Sequence, residues 1–305
     1  MEEYIIVTPA KNEEENLPST IRSIERQTVK PALWVIVDDG STDNTPQIIE
    51  AAKKKHPWIQ SIRLGEGVRD LGMHYSFVCI SGLNYAMEYC KRNKIEYEYI
   101  GTVDADMKLE KTYFENLIKE FRKDPKLGIA SGGTWVRIKG KEIKLQLRED
   151  IPSGGHRLWR KECFEEAGGY SLTYAVDSVS NIKAKLRGWK VKRFEDCKAT
   201  QARMTGSAEG LWKGWKTEGE AMYYLGVRPL FAILRAIRYL FKKPYYIGLA
   251  FLVGYLNSYI NRKEQINDEE IKHYNRYIRP REVREFYWGK LKNICLPPRS
   301  RRALR

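Results

Sequence analysis

Asp104-Ala105-Asp106 closes an apolar run, Tyr97–Val103, with two carboxylates two residues apart. Such a pair at a strand end can approach one divalent cation and a ribose. Mg2+ and Mn2+ favour a few carboxylates combined with phosphate oxygens. A cation held there neutralises charge developing on a diphosphate leaving group. Acidic pairs also cap helices and fill turns, so the motif alone carries little. Asp38-Asp39-Gly40-Ser41-Thr42-Asp43 is more specific. A second apolar run, Leu33–Val37, ends in two carboxylates, a glycine permits a tight turn, and hydroxyls open the next helix. Asp39 is expected to accept hydrogen bonds from a nucleobase N–H or from ribose hydroxyls. Asp43 and Asn44 are expected as helix N-caps.

The elements that must position these groups read as alternating strands and helices. Tyr4–Thr8 is a buried strand ended by Pro9. Leu17, Ile21 and Ile24 follow at helical spacing, with Pro18 in the first turn. Leu33–Val37 is a strand, Pro46–Lys55 a helix, Ile59–Leu64 a strand, Met73–Asn93 a long helix, and Tyr97–Val103 a fourth strand. This order implies an α/β fold with a parallel sheet. Ligands of such sheets lie beyond the carboxyl ends of the strands. Asn12, Asp38, Asp39, Asp104 and Asp106 all fall at those ends. Further on, Ile129–Ile138 and Lys141–Leu147 are strand-like and Arg160–Ala167 is a helix closed by Gly168-Gly169. Asp177–Arg187 is a helix stopped by Gly188, and Trp189–Phe194 is a strand.

The 305 residues, 42% hydrophobic, suffice for a large core and exclude disorder of the whole chain. The formal net charge of +15 is unevenly spread. Residues 226–305 hold 18 Lys/Arg against 6 Asp/Glu, leaving 36 against 33 in residues 1–225. A basic C-terminal part suggests an anionic partner such as a membrane surface, or else solvated helix faces. Pro229–Phe241 is apolar apart from Arg235 and Arg238, and Pro244–Asn261 carries no charge. With Asn257, Ser258 and four tyrosines, the second stretch is a weak transmembrane candidate. Helices lying in a membrane interface suit both better; helices packed on a catalytic domain are the competing reading. The tail from Pro297 would suit acidic lipid. Cysteines 79, 90, 163, 197 and 295 show no CxxC spacing, so neither a zinc site nor a disulfide framework is expected. Met1-Glu2-Glu3-Tyr4 leads straight into a strand, so no signal peptide is expected, and the compartment is expected to be cytoplasmic.

Three segments taken together resemble family 2 glycosyltransferases of the GT-A fold: Thr8-Pro9-Ala10-Lys11-Asn12-Glu13-Glu14, Val37-Asp38-Asp39-Gly40-Ser41-Thr42-Asp43, and Val103-Asp104-Ala105-Asp106. Arg160-Lys161-Glu162, Gly168-Gly169-Tyr170, Asp177 and Leu186-Arg187-Gly188-Trp189 extend the match to roughly residues 4–205. The resemblance implies a Rossmann-like, mainly parallel sheet with flanking helices over residues 1–205, followed by a basic helical extension over 206–305. Residues 1–110 would bind the nucleotide sugar and 111–205 would face the acceptor. It implies that Pro9, Ala10, Glu13 and Asp39 border the nucleoside, and that Asp104 and Ala105 sit at the donor. Asp106, with Asp104, would ligate Mn2+ or Mg2+. Asp177 matches the position of the catalytic base, although Val176 replaces the glutamate that usually precedes it. At a helix start, Asp177 also reads as an N-cap.

Two departures bear on the metal and the diphosphate. Lys108 follows Asp106 where some polyprenyl-phosphate sugar transferases carry a metal-binding Gln; an ammonium cannot ligate a cation but can bind phosphate. Gln201-Ala202-Arg203 stands where many relatives have His-x-Arg, so the third protein ligand is left open, with Arg203 a candidate for the diphosphate. Softer candidates are Gly65–Asp70 as a loop near the donor and Thr205–Gly210 as a flap over the diphosphate. Gly154-Gly155-His156-Arg157 could line an acceptor cleft, with His156 equally suited to a structural role. Trp212 and Trp215 suit packing or stacking on sugar or lipid. The leading expectation is inverting transfer from a nucleoside-diphosphate sugar to a hydroxyl of a glycan or lipid-linked acceptor, at the cytoplasmic membrane face. One alternative is transfer to a polyprenyl phosphate. Others are a basic nucleic-acid- or membrane-binding protein without transferase activity, and a silent relative that only binds nucleotide. No nucleic-acid-binding motif supports the third.

Overall fold

A computed structural model describes residues 3–65, 72–138, 140–203 and 210–295. Residues 66–70 of the loop expected over Gly65–Asp70, residues 205–209 of the flap expected over Thr205–Gly210 and the tail from Pro297 lie outside these residues. The chain divides into two units, Met1–Gly214 and Trp215–Arg305.

The first unit opens with β1 (Tyr4–Ala10), α1 (Leu17–Glu25), β2 (Leu33–Asp38), α2 (Thr45–Lys55), β3 (Ile59–Arg63), α3 (Met73–Asn93) and β4 (Tyr99–Val103). These follow the sequence expectation to within a few residues, because each strand is a buried β-branched or aromatic run and each helix carries an apolar stripe. In β1, Tyr4 and Ile6 enter one core while Ile5 and Val7 enter the other, so both sheet faces are covered. Gly82 lets α3 press onto the sheet: a Cβ there would stand 2.4 Å from a Val7 methyl. That contact seats the start of α3 above the strand ends.

The unit continues with β5 (Met107–Leu109), α4 (Tyr113–Lys123), β6 (Leu127–Ile138), β7 (Lys141–Lys144), β8 (His156–Arg160), α5 (Lys161–Glu166), α6 (Val176–Leu186) and β9 (Lys190–Gln201). The sheet runs β3-β2-β1-β4-β8-β6-β9-β5, with β7 paired to β6. It is parallel through β3, β2, β1 and β4. Beyond β4 it is mixed, with β8 antiparallel to β4 and β6, and β5 antiparallel to β9. The α/β architecture with flanking helices is as expected. Three elements are additions. The α4 helix buries Tyr113, Phe114, Leu117, Ile118 and Phe121 on one face. The β8 strand was hidden by His156 and Arg157, two polar residues with no exposed surface. Its pairing with β4 places Val103 opposite His156, which sets Gly154-Gly155 beside Asp104. The short β5 pairs Met107 with Gln201, and so brings the Gln201–Arg203 segment to Asp106.

The second unit is helical: α7 (Leu211–Tyr224, which begins just before it), α8 (Pro229–Leu240), α9 (Ile247–Ile260), α10 (Glu269–His273), a π-helical turn (Tyr274–Ile278) and α11 (Arg279–Cys295). Its own core gathers Met222, Tyr223, Val227, Ala232, Ala236, Phe251 and Tyr255. No helix among the described residues is long and apolar enough to cross a membrane.

Candidate active site

The carboxyl ends of β1, β2 and β4 lie on one edge, and their following loops are stitched together. Asn12, in a left-handed conformation, donates its N–H to Ser41 Oγ at 2.9 Å and accepts from Thr42 N at 2.8 Å. Glu13 N donates to Thr45 Oγ1, and Glu14 accepts from Asn44. Asn12 therefore braces two loops. Of the two expected caps, Asn44 occupies the cap position with no side-chain cap bond, while Asp43 Oδ1 takes the Thr45 N–H at 2.9 Å. Asp38 likewise turns inward, accepting from Ser41 N at 2.9 Å and pairing with Arg63 at 3.4 Å. Asp39 is the carboxylate left facing the edge. His74 Nε2 bonds both of its oxygens, at 2.8 and 3.0 Å, and Lys11 Nζ stands 3.5 Å away. Pro9 and Ala10 end β1 alongside, Ala10 in register with Asp38.

A second group surrounds the Asp104-Ala105-Asp106 segment. Asp104 Oδ1 accepts from the Tyr75 hydroxyl at 2.9 Å, and its N–H donates to Gly155 O at 2.8 Å. Burial and the neighbouring Asp106 push the Asp104 carboxyl up to about 7. Asp106 is 6% exposed and its carboxyl is also held above the usual range by burial, with Arg203 opposing the shift. Arg203 Nε lies 3.3 Å from Asp106 Oδ2, and its guanidinium grips Glu13, with Nη1 at 3.1 Å from Oε2. Gln201 Nε2 reaches Asp106 Oδ2 at 3.4 Å. Ala105 is buried, its carbonyl accepting from Thr20 Oγ1. Lys108 is exposed on β5. Glu13, Asp104, Asp106, Gln201 and Arg203 are thus one cluster. Among the described residues, no set of three or more His, Cys, Asp or Glu side chains is arranged to hold a metal ion.

A third group holds Asp177. It sits in the first turn of α6, whose N-cap position is Ala175, so the capping alternative does not apply. Asp177 Oδ1 accepts from the Tyr170 hydroxyl at 2.7 Å and lies 3.9 Å from Arg157 Nη2. Arg157 is wholly buried beneath it, bonded to Pro152 O, Ser153 O and Asn181 Oδ1. Gly154 and Gly155 separate this carboxylate from Asp104. A Cβ on Gly154 would fall 1.8 Å from Asp177 Oδ2, and one on Gly155 would fall 2.4 Å from Asp104 Oδ2. Only glycines let the two acids stand across one backbone strand.

His74 and Tyr75 are the neighbours of these carboxylates that residue patterns missed; both lie in the first turn of α3, which was expected as a helix without a role at the site. Tyr170 was marked by the Gly168-Gly169-Tyr170 match and Arg157 by the segment expected to line an acceptor cleft. His156 proves structural: fully buried, it bonds the Tyr113 hydroxyl at 2.7 Å and Thr134 Oγ1 at 2.8 Å. Burial, with Arg157 and Arg193 nearby, depresses its pKa to about 3. Its folded pKa thus lies below the unfolded value near 6.5. The stability it contributes is present above about pH 6.5 and is lost as pH falls towards 3, by about 1.4 kcal/mol per unit. Denaturant titrations between neutral and acid pH are expected to show the gap between wild type and His156→Asn closing as pH falls. Trp212 is exposed, and Trp215 packs edge-on against Tyr239 with ring centroids 4.5 Å apart.

Comparison with known proteins gives the same picture. The sequence profile described as Glycosyl transferase family 2 matches residues 5–180. A poly-beta-1,6-N-acetyl-D-glucosamine synthase of Staphylococcus aureus strain COL is 22% identical over 257 residues, covering 77% of this chain and 57% of that protein. A synthase of the same description from Staphylococcus epidermidis is 23% identical over 223 residues, covering 66% of this chain and 50% of that protein. The chain thus spans little more than half the length of these curated relatives. Among solved structures, a mannosyltransferase from Pyrobaculum calidifontis, in complex with GDP-Man and Mn2+, matches with TM-score 0.54 and 16% identity over 87% of this chain and 76% of that one. Staphylococcus aureus TarS 1–349 in complex with UDP-GlcNAc matches with TM-score 0.51 and 15% identity over 85% of this chain and 73% of that one. At these identities the structural likeness establishes the GT-A fold.

Proposed function

The chain belongs to glycosyl transferase family 2, and from that premise we propose that it is an inverting glycosyltransferase. It moves a sugar from a nucleoside-diphosphate donor to a hydroxyl of a glycan or lipid-linked acceptor. The observation that carries this reading is the placement of three acidic groups along one sheet edge: Asp39, the Asp104–Asp106 pair, and Asp177 across the Gly154-Gly155 strand. The solved relatives whose complexes contain UDP-GlcNAc or GDP-Man support a nucleotide-sugar donor.

Each group has a task in this reading. Asp39, an acceptor of hydrogen bonds held by His74 and Lys11, binds the base, beside Pro9, Ala10 and Glu13. It suits uracil or guanine, which offer a ring N–H, over cytosine, which does not. Asp104 and Asp106 fit a small divalent cation. They are hard oxygen donors whose pKa values are both raised by burial, with Asp106 adding to the shift at Asp104 and Glu13 to that at Asp106, and a cation would remove that penalty. These two carboxylates would hold the cation, and Gln201 is placed to orient Asp106. When bound, Mn2+ or Mg2+ supplies Lewis-acid neutralisation of the diphosphate. Arg203, tied to Glu13 and Asp106 by charge-assisted bonds, adds a guanidinium for the same oxygens.

Asp177 accepts the proton of the attacking hydroxyl as its oxygen reaches the anomeric carbon. Tyr170 and Arg157 fix the orientation of the carboxylate, so the free oxygen Oδ2 faces the Gly154 backbone side of the cleft. The enzyme is placed at the cytoplasmic face of the membrane, in peripheral contact with anionic lipid, with residues 1–205 doing the chemistry and 206–305 forming a basic extension. Nucleic acid has no part in it.

Gly154→Ala tests the carboxylate arrangement. The new methyl must displace Asp177 Oδ2, the movable end of a side chain, so the fold survives and the Tyr170 bond breaks. Transfer is expected to fall by about 10²-fold, the order lost when a catalytic group is misplaced by an ångström. Nucleotide binding should match wild type. Retention of full activity would remove Asp177 from the mechanism. The whole reading is tested by turnover: purified protein, Mn2+ and a panel of UDP- and GDP-sugars, with nucleoside diphosphate release measured with and without glycan or lipid acceptors.

A further inference from the structure

The helices α8 and α9 meet closely. Small residues are buried on both, Ala232 and Ala236 on α8 and Gly248, Ala250, Gly254 and Ser258 on α9, beside Ile247, Phe251 and Tyr255 of α9. The backbones touch as a result. A Cβ on Gly248 would stand 2.6 Å from Ala236 O, and one on Gly254 would stand 2.0 Å from Lys216 O of α7. The outer faces carry large aliphatic side chains. Leu230, Ile233, Leu234, Ile237 and Leu240 line α8 at three- and four-residue spacing, and Leu249, Val253, Leu256 and Ile260 line α9 likewise. Leu230 is 63% exposed and Ile260 is 72% exposed. Exposed apolar stripes on two adjacent helices form a patch that soluble proteins ordinarily bury. Close small-residue contacts between the helices, with a row of large aliphatic side chains left on their outer faces, suit helices whose outer medium is hydrocarbon.

Charge and length narrow the medium. Residues 229–263 contain Arg235, Arg238, Lys242, Lys243, Arg262 and Lys263 and no Asp or Glu. The connecting turn presents exposed Phe241, Lys242, Lys243, Tyr245 and Tyr246 together. Aromatic and basic side chains combined in this way suit the level of lipid headgroups. At about 1.5 Å per residue the 12-residue α8 and the 14-residue α9 are about 18 and 21 Å long. Neither reaches across a hydrocarbon core of about 30 Å. We infer that the outward faces of α8 and α9 are a docking surface for an anionic lipid bilayer, which they enter to the headgroup–acyl boundary. This gives the membrane contact in the proposed function a defined surface. It rests on that reading only for its biological setting, because lipid binding and nucleotide binding are measured separately.

The test is flotation of the full chain with vesicles of phosphatidylcholine, alone or mixed with phosphatidylglycerol. Wild type should float with the mixed vesicles and more weakly with phosphatidylcholine alone. The double variant Leu234→Glu, Val253→Glu should lose roughly ten- to a hundredfold in partitioning, since two apolar side chains no longer leave water. Lys242→Glu with Lys243→Glu should erase the preference for phosphatidylglycerol. Thermal unfolding and nucleotide binding of both variants should stay at wild-type values, because the altered side chains are exposed. The inference is overturned if wild type floats with neither vesicle, or if the Leu234/Val253 variant floats as wild type does. It is also overturned if wild type is a lipid-independent dimer that these substitutions dissociate, for the patch would then belong to a second copy.

Discussion

Asp177→Asn is expected to slow sugar transfer by about 10²–10⁴-fold, the usual contribution of a general base, while leaving nucleotide affinity unchanged. The amide keeps the size and the Tyr170 and Arg157 surroundings of the carboxylate but cannot take a proton. Its effect should fall on kcat far more than on KM for the donor, because the donor's own contacts lie at Asp39 and the Asp104–Asp106 pair. An acceptor that already carries an ionised oxygen needs no base. Rapid transfer to a polyprenyl phosphate by the Asn variant would therefore move the assignment from a hydroxyl acceptor to a lipid phosphate. Steady-state rates with both acceptor types decide between the two.

Asp106→Asn is expected to lower turnover by about 10³-fold or more, the loss of several kcal/mol of stabilisation of the leaving diphosphate. Added Mn2+ should not restore it. The metal-free protein should at the same time become more heat-stable near pH 8. Burial already holds the Asp106 carboxyl above its ordinary pKa, so the ionised form is disfavoured in the fold despite Arg203. An amide removes that penalty, and Glu13 still holds the guanidinium. Opposite signs for stability and activity mark a group placed for a ligand's sake. A variant that loses both together would point to a structural salt bridge instead.

The first part of the sheet was legible from residues because its strands are short buried runs ending in acids. In a parallel sheet those ends must share one edge, so Asp39 and Asp104 were placed together by periodicity alone. The part after β4 resisted for physical reasons. Strand β8 carries His156 and Arg157, which look solvent-exposed in a pattern of polarity. They are buried because Tyr113, Thr134, Pro152, Ser153 and Asn181 satisfy them, partners scattered along the chain. The α4 helix did carry a readable stripe, Phe114, Leu117, Ile118 and Phe121, that was passed over between two stronger motifs. Gly154 and Gly155 were readable only as lining for an acceptor cleft; their meaning lies in the carboxylates on either side. Of the two cap candidates before α2, Asp43 supplies the bond to Thr45 N and Asn44 does not. At Asp177 the helix starts one residue earlier, with Ala175 in the cap position, so the capping alternative fails. In the second unit the apolar runs were plain in the sequence, but which side chains face out became visible only from the small-residue packing of α8 on α9.

The central claim is a metal-dependent site for a nucleoside diphosphate at the Asp39–Asp106 edge, and thermal unfolding with UDP, GDP, TDP and CMP tests it most directly. The runs compare wild type and Asp106→Ala, with and without Mn2+. One diphosphate should raise the melting temperature of wild type only when Mn2+ is present, CMP should have no effect, and Asp106→Ala should show no shift at all. A wild type that no nucleotide stabilises, or one stabilised equally without metal and in the Asp106→Ala variant, would contradict the account.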